Sequence, residues 1–164
     1  MYTFQLNSLT DTERFAKILS EQIEAGSVIL LSGDLGSGKT TFTQYFGKFL
    51  GVKRHMTSPT FNIIKSYKGI YTIHHMDCYR LEDSDEDLGF DEYFNEQDIA
   101  IVEWPQFIEE YLPEDFISIE LLYIDESKRE LKMKAQGNNN LEIVGAVYDQ
   151  FTSWYVESSS ISGS

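Results

Sequence analysis

Residues 33–40 form a glycine-rich loop whose residue types and spacing suit the binding of a nucleoside triphosphate. They read Gly-Asp-Leu-Gly-Ser-Gly-Lys-Thr, which matches the pattern GxxxxGK[ST] in full. In such loops the glycines let backbone N–H groups face the phosphates, the lysine reaches the β- and γ-phosphates, and the last hydroxyl ligates Mg²⁺. The residues predicted to contact the nucleotide are Gly33, Asp34, Leu35, Gly36, Ser37, Gly38, Lys39, Thr40 and Thr41.

A strand and a helix flank this loop in the order that a phosphate-binding loop requires. Residues 28–31 are Val-Ile-Leu-Leu, a run typical of a buried parallel strand. After the loop, aromatic and aliphatic residues recur at helical spacing up to Gly51, where a C-terminal cap is expected. The N-terminus of that helix would carry partial positive charge towards the same phosphates. A glycine-rich turn that precedes a lysine by chance is therefore disfavoured.

Two acidic residues stand at the ends of other predicted strands. Glu103 follows the apolar run 99–102, and Asp77 follows His-His-Met. We predict that Glu103 holds Mg²⁺ directly or through water, and that Asp77 orients the attacking water or completes the outer shell of the metal. The alternative for both is an ordinary acidic residue at a strand end. His75 shares a strand face with Asp77, and we interpret it as a structural hydrogen-bonding residue rather than a catalyst.

Composition predicts one domain without disulfide bonds. The chain has 164 residues, enough to bury most of its apolar surface, and Cys78 is its only cysteine. We find no signal peptide and no apolar run near the roughly 20 residues of a membrane helix, so we expect a cytoplasmic location. The net charge of −14 argues against DNA binding and against unaided RNA binding. Alternatively, that acidity serves only solubility.

Helical patterns are predicted at both ends of the domain. The first helix is expected to begin near Thr10 or Asp11 and to end before Gly26. We expect a domain that spans residues 1–157 and a disordered tail at 158–164, which is small and polar. The apolar face of the last helix consists of Leu141, Val144, Val147, Tyr148 and Phe151.

Two antiparallel hairpins are predicted within the sheet. The first pairs residues 61–67 with 70–76, and the second pairs 116–124 with 130–135. We therefore predict an α/β fold, a single P-loop NTPase domain with a mixed, mostly parallel central sheet, helices on both faces and antiparallel hairpins.

Four sequence blocks together resemble the TsaE (YjeE) family of bacterial ATPases, which are needed to make threonylcarbamoyladenosine in tRNA. The first block is shared by many NTPases, but its combination with SPT[FY], HxDxYR and EW is specific. The blocks are Gly33 to Thr41, Ser58 to Phe61, His75 to Leu81, and Glu103 with Trp104.

The resemblance implies roles for particular residues. ATP would be the nucleotide, Thr40 and Glu103 would ligate Mg²⁺, and Lys39, Asp77 and Glu103 would carry the catalysis. The segment from Ser58 to Phe61 would act as a switch. The family's N-terminal segment and late hairpin turn also approach the nucleotide, which implies contacts from Thr10, Lys128 and Arg129.

The resemblance also implies partners. The family acts beside TsaD, a threonylcarbamoyl transferase, and its companion TsaB, so hydrolysis would drive an assembly or reset step rather than the transfer. tRNA would be met only indirectly, through that complex.

Two other functions stay open at this point. A small P-loop kinase would need an arginine-rich lid, and the chain offers only Arg14, Arg54, Arg80 and Arg129. A nucleotide-dependent interaction module with incidental hydrolysis is the second alternative.

Overall fold

The computed structural model describes residues 1–34, 36–57, 63–82 and 89–162. Leu35, within the loop, and the proposed switch Ser58 to Phe61 lie outside the described residues. The elements in chain order are β1 Tyr2–Leu6, α1 Leu9–Gln22, β2 Val28–Gly33, α2 Lys39–Phe49, β3 Ile64–Lys68, β4 Thr72–Asp77, β5 Ile99–Glu103, β6 Phe116–Tyr123, β7 Arg129–Gln136 and α3 Asn138–Ser162.

The seven described strands form one sheet in the order β1-β7-β6-β2-β5-β4-β3. Strand β2 pairs in parallel with both β5 and β6, and β4 pairs in parallel with β5. The hairpins β3–β4 and β6–β7 are antiparallel, as predicted. Five strands, namely β1, β2, β4, β5 and β6, therefore run in one direction. The predicted α/β class with a mixed, mostly parallel sheet is confirmed.

The register of the parallel strands brings the acidic strand ends to the loop. Leu31 of β2 pairs with Glu103 of β5, and Glu103 in turn pairs with Asp77 of β4. The phosphate loop leaves β2 at the same edge of the sheet. Ligands of open α/β sheets bind at this carboxyl edge, so the topology gathers the candidate residues where that rule places them.

The two faces of the sheet are covered differently. Alternate residues of β2 divide between them, since Ile29 and Leu31 join one apolar core whereas Val28 and Leu30 join the other. The first core includes Phe15, Phe42 and Phe151 of α1, α2 and α3. The second face is covered by short 3-10 segments, namely Tyr79–Leu81, Phe90–Glu92 and Pro105–Tyr111.

Helix α1 begins earlier than the sequence predicts. Its N-cap is Ser8, whose hydroxyl accepts a hydrogen bond from the backbone N–H of Asp11 at 3.3 Å. The Asp11 carboxylate accepts from the N–H of Asn7 at 2.8 Å, which ties down the preceding residue. The serine, rather than Thr10 or Asp11, is the cap because its oxygen satisfies a free N–H of the first turn. The helix ends at Gln22, before Gly26.

Strand β1 was absent from the sequence-based prediction. It pairs antiparallel with β7, and its buried residues Phe4 and Leu6 join the helix-side core. The alternation of Tyr2, Phe4 and Leu6 has the period of two residues that marks a strand. At the other terminus, α3 continues to Ser162, past the predicted domain boundary at residue 157. A helix that is already nucleated gains one hydrogen bond for each added residue.

Candidate nucleotide-binding site

The phosphate loop has a backbone that its glycines make possible. Gly33 has φ 152°, and a Cβ atom there would lie 2.6 Å from both the carbonyl oxygen of Leu121 and Oγ of Ser37. Gly38 has φ 101° and is the N-cap of α2. Both positions require glycine, one for space and one for a left-handed backbone. The free N–H groups at the start of α2 consequently open towards the loop.

A cavity of about 520 Å³ lies against this loop. The structure brings together there most of the residues predicted from the sequence, with Trp104 in addition. Its lining is Gly33, Asp34, Gly36, Ser37, Gly38, Lys39, Thr40, Thr41, Asp77, Glu103, Trp104 and Arg129.

Glu103 occupies the centre of a buried polar chain beneath the loop. Its Oε1 lies 3.3 Å from Nζ of Lys39, and its Oε2 lies 2.7 Å from Nε2 of His75. Glu103 is only 7% exposed, so the carboxylate has exchanged water for these two partners. A buried charge is tolerated only when it is paired and hydrogen-bonded, and each oxygen here has its own partner.

The same contacts control the ionisation of this carboxyl. Burial by itself would raise the pKa of Glu103, but the hydrogen bond and charge of His75, followed by those of Lys39, outweigh it. The net pKa of Glu103 lies below its ordinary value. The carboxylate is therefore kept in the anionic form that a metal ligand requires.

His75 directly contacts Glu103, one of the predicted catalytic residues. It is 2% exposed, and its Nδ1 has no hydrogen-bond partner among the described residues. The contact with Glu103 supports the interpretation of His75 as a structural hydrogen-bonding residue. The sequence alone does not identify this partner, although the register of parallel strands would. His75 pairs with Ile101, two residues before Glu103, so both polar side chains lie on one face.

Asp77 stands beside Glu103 at the strand end. Its Oδ1 accepts a hydrogen bond from the N–H of Tyr79 at 3.1 Å, which fixes the carboxylate, and the residue lines the cavity. The next residue, Cys78, is buried, and its N–H donates to the carbonyl of Glu103. Burial, then the nearby charges of Asp77 and Glu103, raise the pKa of Cys78 to about 12. This thiol is therefore protonated near neutral pH and is not a nucleophile.

Trp104 closes one side of the site. It has φ 57° and ψ 51°, and it alone among the described non-glycine residues has a positive φ. That conformation costs roughly 1–2 kcal/mol, and such strain concentrates at functional sites. Nζ of Lys39 lies 5.6 Å from the centroid of its ring, and Phe107 stacks on it. The aromatic wall therefore restricts where the Lys39 ammonium group lies.

A second cavity of about 350 Å³ adjoins the first and shares Ser37, Gly38, Thr41 and Arg129 with it. The further residues that line it are Ser8, Leu9, Thr12, Leu121, Glu126 and Ser127. The N-terminal segment and the hairpin turn thus both border a cavity that the phosphate loop also lines.

The structure places the three residues named for these contacts differently with respect to the two cavities. Thr10 lines neither cavity, whereas Leu9 and Thr12 do, because side chains three residues apart share a helix face and Thr10 lies off it. Lys128 is exposed and also lines neither. Arg129 lines both, and its Nε donates to the carbonyl of Ser37 at 3.1 Å. The guanidinium is thereby joined to the loop.

Fold and loop together define the class of this protein as a P-loop α/β protein. A family model described as "Threonylcarbamoyl adenosine biosynthesis protein TsaE" matches residues 6–131. The chain belongs to the TsaE family, and the resemblance found in its motifs is confirmed.

Comparisons with individual relatives support this assignment to the TsaE family. The chain is 46% identical over 129 residues to a tRNA threonylcarbamoyladenosine biosynthesis protein TsaE of Bacillus subtilis, covering 78% of this chain and 82% of the relative. A protein of the same name from Treponema pallidum is 34% identical, and the match covers 76% of this chain and 93% of that relative. Among solved structures, the crystal structure of Bacillus subtilis YdiB superimposes with a TM-score of 0.72 at 32% identity, covering 93% of this chain and 94% of that one.

Proposed function

We propose that this protein is a Mg²⁺-dependent ATPase of the cytoplasm that supports threonylcarbamoyladenosine modification of tRNA. The observation that carries the proposal is the buried chain from Lys39 through Glu103 to His75, directly beneath the phosphate loop. The modification itself rests on family membership, since relatives are named for it. Among the described residues, no helix has the length and apolar character to cross a membrane.

The residues present fit a magnesium–triphosphate group. The Glu103 carboxylate and the Thr40 hydroxyl are hard oxygen ligands, the kind that Mg²⁺ takes. Oγ of Ser37 is buried in the loop without a hydrogen-bond partner among the described residues. Those residues contain no cluster of three or more His, Cys, Asp or Glu that could hold a metal alone. Such a site suits a metal that is held mainly by substrate phosphates.

The ion pair beneath the loop would be exchanged for contacts with a magnesium–nucleotide group. In the structure Lys39 and Glu103 neutralise each other at 3.3 Å. With the group bound, the Lys39 ammonium would pair with its phosphates, and the Glu103 carboxylate would hold Mg²⁺ directly or through water. The hydrogen bond from His75 would keep the Glu103 side chain in place in both states. When bound, the metal neutralises charge that develops on the phosphates.

Asp77 completes the proposed catalytic set. Phosphoryl transfer needs little covalent help from the protein, so positioning of water and stabilisation of charge are the main tasks. The Asp77 carboxylate is fixed by the Tyr79 N–H and borders the same cavity as Glu103, from which it would orient the attacking water. A kinase lid is not supported, since Arg129 is the one arginine lining either cavity among the described residues.

We further propose that TsaD and TsaB are the partners, with ATP hydrolysis driving an assembly or reset step. tRNA would be held chiefly by that complex, since the net charge of −14 opposes strong binding by this chain alone.

The test is ATP hydrolysis by the purified protein, alone and with the TsaD and TsaB pair, with Glu103→Ala as the control. We expect stimulation by the pair that disappears in the variant. Equal turnover with and without the pair, or transfer of phosphate to a small acceptor, would overturn the proposal.

A further inference from the structure

Ser66, His74 and Asp98 form a chain of hydrogen bonds outside the nucleotide site. Oγ of Ser66 lies 2.7 Å from Nδ1 of His74, and Nε2 of His74 lies 2.8 Å from Oδ2 of Asp98. A hydroxyl, an imidazole and a carboxylate linked in this order suit a nucleophile, its general base and the group that orients the base. Such a set is recognised by its geometry and roles, and not by the order of its residues in the sequence.

The register of the sheet brings these three residues together. Ser66 of β3 and His74 of β4 are direct partners in the antiparallel hairpin. Asp98 immediately precedes β5, whose residue Ala100 pairs with His74. The contacts therefore follow from the pairing of three neighbouring strands.

The hydrogen bonds around Asp98 determine which nitrogen of His74 carries a proton. Nδ2 of Asn95 donates to Oδ2 of Asp98 at 3.0 Å, and this bond, followed by that of His74, holds the pKa of Asp98 below its ordinary value. A carboxylate only accepts hydrogen bonds, so Nε2 of His74 is the protonated nitrogen. In the neutral imidazole, Nδ1 then accepts the hydroxyl hydrogen of Ser66. His74 is consequently in the tautomer that a general base for Ser66 requires.

The base is buried, whereas the serine is exposed. His74 is 8% exposed, and the ring of Tyr93 packs against it edge-on with 5.0 Å between the ring centroids. Ser66 is exposed and lines the groove beside the β3–β4 hairpin, whose volume is about 580 Å³. A small molecule in this groove can therefore contact Ser66 while packing keeps His74 in one orientation.

This set of residues is separate from the nucleotide site. His74 lies three residues before Asp77, which is about 10 Å along β4. His74 and His75 are neighbours on a strand, so their side chains lie on opposite faces of the sheet. His75 contacts Glu103, whereas His74 contacts Asp98.

We propose that Ser66, His74 and Asp98 form a second, esterase-type site, at which Ser66 accepts the acyl group of a small carboxylic ester. Oγ of Ser66 attacks the carbonyl carbon while its proton passes to Nδ1 of His74, and the Asp98 carboxylate stabilises the imidazolium. The bond from the carbonyl carbon to the leaving oxygen then breaks, and this oxygen takes the proton from His74. Lys68, two residues along the same face of β3, brings a positive charge within side-chain reach of the transient oxyanion.

Water completes the reaction at acyl-Ser66. A water molecule attacks the acyl carbon and gives a proton to Nδ1 of His74. The bond from the acyl carbon to Oγ of Ser66 then breaks, and Oγ recovers the proton from His74. One ester and one water thus yield one carboxylic acid and one alcohol.

The test uses p-nitrophenyl acetate and the full chain without nucleotide. Release of p-nitrophenol is followed by absorbance, and acetylated residues are located by mass spectrometry of peptides. Ser66→Ala is the main variant, because replacing an exposed serine costs the fold little. Ser118→Ala is the matched control, since Ser118 also lies on a strand but has Lys134, and not a histidine, as its partner in β7. ATP hydrolysis and thermal unfolding of both variants are expected to match those of the wild-type protein.

We expect acetylated Ser66 in the wild-type protein, and p-nitrophenol release by Ser66→Ala at the rate of buffer alone. His74→Gln should lower the rate by about 10² or more, the loss typical of a missing general base, and Asp98→Asn should lower it as well. Ser118→Ala should keep the wild-type rate. Equal release by the wild-type protein and Ser66→Ala, or acetylation elsewhere with Ser66 unmodified, would overturn the proposal. Release of a single equivalent, with the acetyl group retained on Ser66, would overturn the hydrolytic step and identify Ser66 as an acyl acceptor only.

Discussion

The two ends of α2 hold positive charge in opposite ways. At its N-terminal end, Lys39 is half-buried and ion-paired with Glu103, which His75 also contacts. Just beyond its C-terminal end, Lys53 and Arg54 are exposed and line a groove of about 580 Å³ beside the β3–β4 hairpin. Removing one member of a buried pair leaves a desolvated charge, whereas removing an exposed cation costs little. The first end is therefore suited to a switch in charge partners, and the second to weak, salt-sensitive contact.

The largest effect is expected at Lys39. Lys39→Ala removes the ammonium group that lies 3.3 Å from the Glu103 carboxylate, and with it the proposed partner of the nucleotide phosphates. We expect ATP affinity to fall by at least about a hundredfold, roughly 2.7 kcal/mol. The measurement is a titration with a fluorescent ATP analogue in the presence of Mg²⁺. Lys48→Ala, an exposed lysine of the same helix, should leave the affinity unchanged. Wild-type affinity in Lys39→Ala would refute the site assignment.

A smaller effect on binding and a large effect on turnover are expected at Glu103. Glu103→Gln keeps the shape of the side chain but removes the charge that would hold Mg²⁺. Hydrolysis should fall by about 10² to 10³, the loss typical of one electrostatic group in a site, while nucleotide binding is largely kept. The measurement is Mg²⁺-dependent phosphate release with saturating ATP. Glu109→Gln, on the exposed side of the 3-10 segment after β5, is the matched control.

Two variants of His75 can distinguish its hydrogen bond to Glu103, which positions that carboxylate, from a role of its charge. Gln places an amide N–H near the position of Nε2, so His75→Gln can keep the hydrogen bond to Glu103, whereas His75→Ala cannot. We expect His75→Ala to lower kcat by about tenfold and to destabilise the fold by about 1–3 kcal/mol. His75→Gln should recover most of kcat. The measurements are KM, kcat and thermal unfolding of both variants. Equal losses of kcat in the two variants would contradict a positioning role for His75.

The smallest effect is expected at Lys53 and Lys68, which line the groove beyond the C-terminal end of α2. Lys53→Gln and Lys68→Gln remove exposed charges that pair with no described carboxylate. We expect the free energy of unfolding to change by less than about 0.5 kcal/mol, within the range for surface positions. Urea denaturation gives this value. A loss as large as that of His75→Ala would mean that these cations contribute to the folded core and would contradict the contrast between the two ends of α2.

Most of the fold could be predicted from local sequence patterns. The loop, its flanking strand and helix, and both hairpins could be predicted because periodicity and turn residues are local signals. Strand β1 was missed although Tyr2, Phe4 and Leu6 alternate, since five residues give little evidence without their partner β7. The start of α1 was displaced because Ser8, Thr10 and Asp11 are all competent caps, and only tertiary packing chooses between them.

The candidate site was predictable in its residues but not in its contacts. Glu103 and Asp77 could be found because acidic residues at strand ends stand out from apolar runs. Their pairing across neighbouring strands depends on the order of the strands in the sheet, which cannot be read from the sequence. The contact between His75 and Glu103 depends on that same register. The groove also needed the fold, because Lys53 and Lys68 meet only through the approach of Gly69 to Leu50.

We propose that ATP hydrolysis that depends on Glu103 serves repeated rounds of tRNA modification. Its most direct test measures threonylcarbamoyladenosine formed on excess tRNA by TsaD and TsaB, supplied with their threonylcarbamoyl donor and either the wild-type protein or Glu103→Gln. We predict many modified tRNA molecules per complex with the wild-type protein, and about one per complex with Glu103→Gln. Equal multiple-turnover yields with the two proteins would contradict the account and favour an interaction module whose hydrolysis is incidental.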